Sequence, residues 1–372
     1  MAVIYRADQV GSLLRPQELV AARQDPDTTE AHLTELEDKH ILRVLARQKE
    51  IGLRIFTDGE FRRGGFMGDF YDSVEGFDES ASVVRNWRPA GERPRAIQGV
   101  GSIHGIVVRK LRQTGRLTKH EVDFLKQHSP GDIKITLPTP NQFPAIIYKK
   151  GMSEQAYPTR SDLLWDLVPI FKAEIAALVA EGVKYIQIDA PRYSYYIDPK
   201  WRQYVQQELE IDPEQALDEA IRVDNACVEG ARRPGAVVAI HLCRGNNRSQ
   251  WYAEGGYDPI AEKLFTQLNV DAFLLEYESE RAGTFEPLRF VPRDKTVVLG
   301  LVSSKVPDLE SQQQLIRRIE EASRYVPLEN LALSPQCGFA STMEGNLLTE
   351  DEQWRKLQLV ADTARIVWGD SV

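Results

Sequence analysis

The run Val237-Val238-Ala239-Ile240-His241-Leu242-Cys243 decides how this chain folds. Its first four residues are apolar and mostly β-branched, the signature of a strand buried on both faces of a parallel sheet. It ends on a histidine and a cysteine two positions apart, which places their side chains on one face of the strand end. The same plan, a short apolar run closing on polar side chains, recurs along the chain. Strands are predicted near residues 4–8, 53–57, 133–137, 185–188, 237–240, 272–275, 296–300 and 331–333, eight in all.

Between them lie amphipathic stretches with helical spacing, over 29–50, 161–181, 213–232, 259–266, 309–325 and 350–367. Ser161 and Asp162 are expected to open the second helix, and Asp258 to cap the fourth just before Pro259. Eight strands alternating with helices predict an α/β fold, a (β/α)8 TIM barrel forming one catalytic domain over residues 1–372. The rhythm breaks after the second strand. Residues 66–116, with Trp87, Pro89, Pro94 and alternating apolar positions in 96–100 and 106–108, read as an inserted hairpin over one barrel end.

Composition narrows the function classes. A formal charge of -9 offers no basic footprint for nucleic acid or an anionic membrane. No stretch approaches the length of a membrane span, and the charged opening residues do not read as a signal peptide, so the expected location is cytoplasmic. Three cysteines, Cys227, Cys243 and Cys337, argue against a disulfide framework. Cys227 falls on a helical stripe and reads as core.

In such a barrel the chemistry sits at the C-terminal ends of the strands. Those positions hold Ser12, Asp58 and Glu60, Thr139 and Asn141, Asp189, His241 and Cys243, Glu276, Ser303 and Lys305, and Cys337. Polar residues are ordinary in loops, and an H-x-C triplet arises by chance in about one chain in twenty of this composition. The barrel adds weight, because the fifth, sixth and eighth strands open on one mouth. There an imidazole, two thiolates and a carboxylate make a zinc ligand set of His241, Cys243, Glu276 and Cys337. Glu278 and Glu280 compete with Glu276, the choice resting on strand register. His32, His40, His120 and His128 are expected on exposed helices; His104 is left open.

Six motifs carry a resemblance. They are Val10-Gly11-Ser12-Leu13-Leu14-Arg15-Pro16, Thr57-Asp58-Gly59-Glu60-Phe61-Arg62-Arg63, Ile186-Gln187-Ile188-Asp189-Ala190-Pro191, His241-Leu242-Cys243-Arg244-Gly245-Asn246, Leu275-Glu276-Tyr277 and Ser334-Pro335-Gln336-Cys337-Gly338-Phe339. In this order the chain resembles the C-terminal catalytic barrel of cobalamin-independent methionine synthases, above all their short single-barrel bacterial relatives. The resemblance implies zinc held by His241, Cys243, Glu276 and Cys337. It further implies that Glu60 and Asp189 hold the amino group of homocysteine while Ser12 helps hold its carboxylate. The pattern departs at the third strand, where Pro138-Thr139-Pro140-Asn141 has no tryptophan for a pterin platform, and at Gln9, where relatives often have histidine.

The activity so implied is methyl transfer to a small-molecule thiol, with homocysteine as acceptor and methyltetrahydrofolate, a methyl-corrinoid protein or another methyl compound as donor. Arg62, Arg244 and Arg281 are candidates for binding a carboxylate, sulfonate or phosphate. A cationic pocket would instead suit thiol alkylation resembling that of epoxyalkane:coenzyme M transferase. A catalytically silent zinc-binding barrel is the third reading.

Overall fold

The computed structural model describes residues 4–68, 70–83 and 103–369. Its strands are β1 (Ile55–Phe56), β2 (Val74–Val83), β3 (Ile103–Gln113), β4 (Asp132–Pro138), β5 (Tyr185–Asp189), β6 (Val237–Leu242), β7 (Ala272–Glu276), β8 (Thr296–Val302) and β9 (Leu331–Pro335). Seven of them form one curled parallel sheet in the order β1-β4-β5-β6-β7-β8-β9, with helices packed outside it as in a TIM barrel.

The stagger of side chains explains the core. Within the barrel, Ile55, Tyr185, Val237, Ala239, Ala272, Leu274, Val298 and Ala332 pack together from alternate positions. Their neighbours Ile186, Ile188, Val238, Ile240, Phe273, Leu275, Val297 and Leu299 point outward into the larger cluster shared with the helices. With both faces covered, the strands are apolar throughout. Continuing the inward parity one step brings Asp189, His241 and Glu276 to the mouth.

The first predicted strand is a correction. Residues 4–8 contribute a single parallel bridge, Ala7 to Leu333, fixed by Asp8 N–H to Leu333 O at 2.9 Å and Leu333 N–H to Arg6 O at 2.9 Å. Toward β1 the seam is sewn mostly by side chains. Gln48, fully buried, receives Thr57 N–H at 3.0 Å and donates to Thr57 O at 2.8 Å. Its amide thus stands in for a neighbouring strand. Thr57 Oγ1 donates across the seam to Gly11 O at 2.9 Å.

Helices form where the periodicity puts them, with shifted starts. The second predicted helix runs Arg160–Ala180 and is capped by Thr159 in a reciprocal box with Asp162, because the Ser161 hydroxyl donates to Glu219 instead. Asp258 caps nothing: the helix there is Ala261–Gln267, with Ile260 at its N-cap. His40 is buried rather than solvated, its Nε2 lying 3.1 Å from Glu18. Cys227 sits in the core at 1% exposure.

The insertion is an antiparallel β2–β3 hairpin. Tyr71, Phe77 and Gly105 from this segment line the same cavity as His241, so the hairpin covers the C-terminal mouth. Trp87, Pro89, Pro94 and residues 96–100 lie outside the described residues, and so does the side chain of His104. No helix of the described residues is long and apolar enough to cross a membrane.

Candidate active site

His241, Cys243 and Cys337 converge from β6 and from the turn after β9, with donor atoms all within 4.8 Å of one another. Each is at most 6% exposed. Neither ring nitrogen of His241 has a hydrogen-bond partner, an expensive state for a buried imidazole unless something else binds it. Burial pulls the His241 ring down, yet the Cys337 sulfur, Asp189 and Glu276 outweigh this and raise it. Cys337 is held well below the usual thiol range, chiefly by the Cys243 S–H and then by His241. Cys243 is correspondingly raised, by the Cys337 sulfur and by burial. One nitrogen and two sulfurs at this spacing form a donor set that could hold a metal ion.

Glu276 ends β7 with no exposure, while Glu278 lies two residues past the strand, paired with Arg281. The Arg244 N–H donates to its Oε2 at 2.8 Å and Arg281 Nη2 to its Oε1 at 2.5 Å. Burial would raise this carboxyl, but Lys305, Arg281 and Arg244 bring it down to about 2. Glu276 stands apart from the close cluster of three donors, although its charge is felt by His241 and Cys243.

These three donors open on a cavity of about 790 Å³ that is also lined by Ser12, Glu60 and Asp189. Gln187 donates to Asp189 Oδ1 at 2.8 Å, and burial pushes the Asp189 carboxyl up to about 7. Glu60 receives the Thr136 hydroxyl at 2.9 Å; burial raises it against the pull of Arg63. Its backbone is left-handed, φ 59°, held there in part by the Glu60 N–H donating to Asp58 at 2.9 Å. Ser12 Oγ receives the Ala340 N–H at 3.3 Å, packed against Gly338, where a Cβ would come within 2.0 Å of that oxygen.

The three arginines proposed for anions are engaged within the protein. Arg62 pairs with Glu37 at 3.0 Å and Asp38 at 2.5 Å, away from the cavity. Arg244, fully buried, donates to Gly255 O and lies 4.1 Å over the Tyr257 ring. Arg281 bridges Glu276 and Glu278. None of the three lines the cavity. Likewise Thr139 and Asn141 donate to Asp224 and serve the wall rather than the mouth.

Two residues went without a role in the sequence reading. Asn246 lines the cavity and donates to Gly338 O at 2.9 Å, tying the turn after β6 to the turn that carries Cys337. Its place in the His-Leu-Cys-Arg-Gly-Asn motif was the available signal. Lys305 is buried, and its charge lowers Glu276 and Cys337.

Fold and site define a class: a parallel α/β barrel with an imidazole–thiol donor centre sunk in its C-terminal mouth. The profile of the family described as cobalamin-independent synthase, catalytic domain, matches residues 8–364, and the chain belongs to that family. It is 38% identical over 383 residues to the uncharacterized protein YxjH of Bacillus subtilis, covering 98% of this chain and 95% of that one. A methionine synthase of Saccharolobus solfataricus is 24% identical over 363 residues, with 96% and 93% covered. Among solved structures, one described as a candidate vitamin-B12-independent methionine synthase from Listeria monocytogenes superposes with a TM-score of 0.74 at 28% identity, 99% of each chain covered. The fold is shared with a B12-independent methionine synthase from Shewanella sp. W3-18-1 in complex with selenomethionine, TM-score 0.75 at 21% identity over 98% of each chain.

Proposed function

We propose that the whole chain acts as one catalytic domain, a zinc-dependent S-methyltransferase that methylates a small thiol, with homocysteine as acceptor and methionine as product. The observation that carries this reading is the orphaned His241 imidazole beside Cys243 and Cys337, all three donors facing a substrate-sized cavity. A nitrogen and two sulfurs suit zinc. Glu276, kept ionised by its cationic neighbours, is the proposed fourth donor. Bound zinc would supply the acidity that turns a substrate thiol into its thiolate at neutral pH.

The protein's own groups would do the rest. Asp189 and Glu60 present carboxylates to the cavity and would take the ammonium group of an amino-acid thiol. Ser12 would help hold its carboxylate. Fixing the α-amino and α-carboxylate groups leaves the sulfur, at the other end of the molecule, as the group free to reach the donor centre, so orientation is supplied before the methyl donor arrives. The lining also includes Phe66, Met67, Tyr71 and Phe77, apolar side chains that would exclude water from the transfer.

Polarity separates this from the alternatives. A sulfonate thiol such as coenzyme M calls for cations, whereas Arg62, Arg244 and Arg281 are absent from the lining and three carboxylates, Glu60, Asp72 and Asp189, are present. A silent structural metal site has no need of an adjoining cavity. The test is metal analysis together with an acceptor panel: one zinc per chain, and methylation of homocysteine from methyltetrahydrofolate, its polyglutamate or a methyl-corrinoid protein. Alkylation of coenzyme M without homocysteine turnover would overturn the acceptor assignment. Full zinc content and activity in His241→Ala or Cys337→Ser would overturn the donor set.

A further inference from the structure

A second cavity, of about 70 Å³, lies behind the short turn Pro191–Tyr196 that follows β5. Arg192 lines it. This side chain is 3% exposed, and none of its three nitrogens has a hydrogen-bond partner. Its guanidinium carbon lies over the Tyr195 ring, 4.3 Å from the centroid. Stacking covers the face of a guanidinium and leaves its five N–H groups at the rim, where they fork toward paired oxygens. A buried cation without hydrogen bonds or an ion partner is costly.

The neighbouring carboxylates do not relieve it. Asp224 receives the hydroxyls of Thr139 and Tyr193 and the Asn141 amide. Glu219, on the cavity wall, receives Ser161 Oγ and Trp165 Nε1. Arg160 supplies a second cation to the lining; it is half-buried, stacked 4.9 Å over Tyr148, with an unpartnered Nε. The wall therefore carries two guanidinium groups against one carboxylate, whose Oε1 already takes both the Ser161 and the Trp165 donors.

We propose that this cavity is a binding site for a small anionic group, a carboxylate or phosphate, gripped by Arg192 and assisted by Arg160. The volume suits one such group and excludes a nucleotide or a peptide. The site is separate from the donor centre, yet the two share a wall. Pro191 lines the larger cavity, and its carbonyl receives both Ser194 Oγ at 2.5 Å and Tyr252 Oη at 2.9 Å. An anion on Arg192 braces the turn that carries Pro191, just past Asp189.

The experiment titrates the full chain with inorganic phosphate, sulfate and glutarate by calorimetry, at constant ionic strength set with chloride. Saturable binding is expected. Preference for glutarate identifies an organic carboxylate as the natural occupant, and preference for phosphate a phosphate group. Arg192→Met weakens binding by about tenfold or more, as loss of a bidentate charged contact demands. Arg160→Gln weakens it roughly threefold, and Glu219→Gln, which removes a negative charge from the wall, tightens it by a similar factor. These opposite shifts decide the matter even if Arg192→Met does not fold. Absence of saturable binding by all three anions, or titrations unchanged in the variants, overturns the proposal.

Discussion

Lys134→Met isolates the ion pair at the centre of the barrel. The Lys134 ammonium is 1% exposed and donates to Asp8 Oδ1 at 2.6 Å, to Gln9 O at 2.6 Å and to Gln187 Oε1 at 3.0 Å. Burial draws the lysine down and Asp8 draws it back up. Methionine fills a similar volume but leaves two buried acceptors without a donor and Asp8 without its counter-ion. Tyr185 Oη, at 2.8 Å, and the Gln9 N–H, at 2.7 Å, still serve Asp8, so the carboxylate is not stripped bare. Breaking a buried pair from one side typically costs 3–5 kcal/mol, and about 3–4 is expected here because those two donors remain. With a urea m-value of about 3 kcal/mol/M, the midpoint falls by roughly 1 M. Pairing it with Asp8→Leu should recover much of the loss, since removing both charges removes the desolvation cost as well. A second readout follows from geometry. Lys134 can only donate, so it fixes Gln187 with its oxygen inward and its amide toward Asp189 at 2.8 Å. Once that restraint is gone, KM for the thiol should rise more than kcat falls. A midpoint within 0.3 M of wild type, roughly 1 kcal/mol, would refute the buried-pair argument.

Three further outcomes are expected. Glu60→Gln and Asp189→Asn each remove one charge-assisted contact to an ammonium group, worth about 2 kcal/mol, so KM for an amino-acid thiol should rise roughly thirtyfold with smaller changes in kcat; unchanged KM in both would remove their binding role. Asp224 is raised by burial from about 3.8 to about 6, so the folded state holds the extra proton between those values. Its contribution is therefore fully present below pH 4 and is lost as pH rises through 6, by about 3 kcal/mol for two units. The stability of wild type relative to Asp224→Asn should decline over that window in urea titrations, and a flat difference would contradict the assignment. Gly338→Ala places a Cβ 2.0 Å from Ser12 Oγ and 3.3 Å from Ser12 N; thiol binding should weaken and the protein lose about 1–3 kcal/mol, whereas wild-type KM and stability would show that Ser12 has room to move.

The parts of the molecule legible in its sequence are those governed by local periodicity. Alternation along Val237–Leu242 and Ala272–Glu276 placed His241 and Glu276 inward, because parity in a strand is a backbone property that needs no knowledge of neighbours. No such local rule governs the arginines. Whether Arg244 faces a ligand depends on Gly255 O and Tyr257, which come from a distant turn. Arg62 likewise answers to Glu37 and Asp38 on a helix some 25 positions away. The first strand was misread for a related reason: residues 4–8 have strand-like composition, but Gln48 occupies the hydrogen-bonding edge they would have used. Helix starts slipped where two capping side chains competed, as Thr159 and Ser161 do.

That seam has a mechanical consequence. The donor side chains His241, Cys243 and Cys337 stand on strands locked by consecutive backbone ladders from β4 to β9. Ser12 and Glu60 stand on the other side, where a two-residue strand, a few side-chain bonds and single backbone bonds such as Leu13 N–H to Gly59 O at 3.0 Å close the ring. The ladders thus run unbroken beneath the donor atoms and Asp189, whereas the Ser12 and Glu60 side of the mouth is held by fewer backbone bonds. Strain from a ligand of slightly different length would therefore fall first on that side, leaving the spacing of one nitrogen and two sulfurs undisturbed.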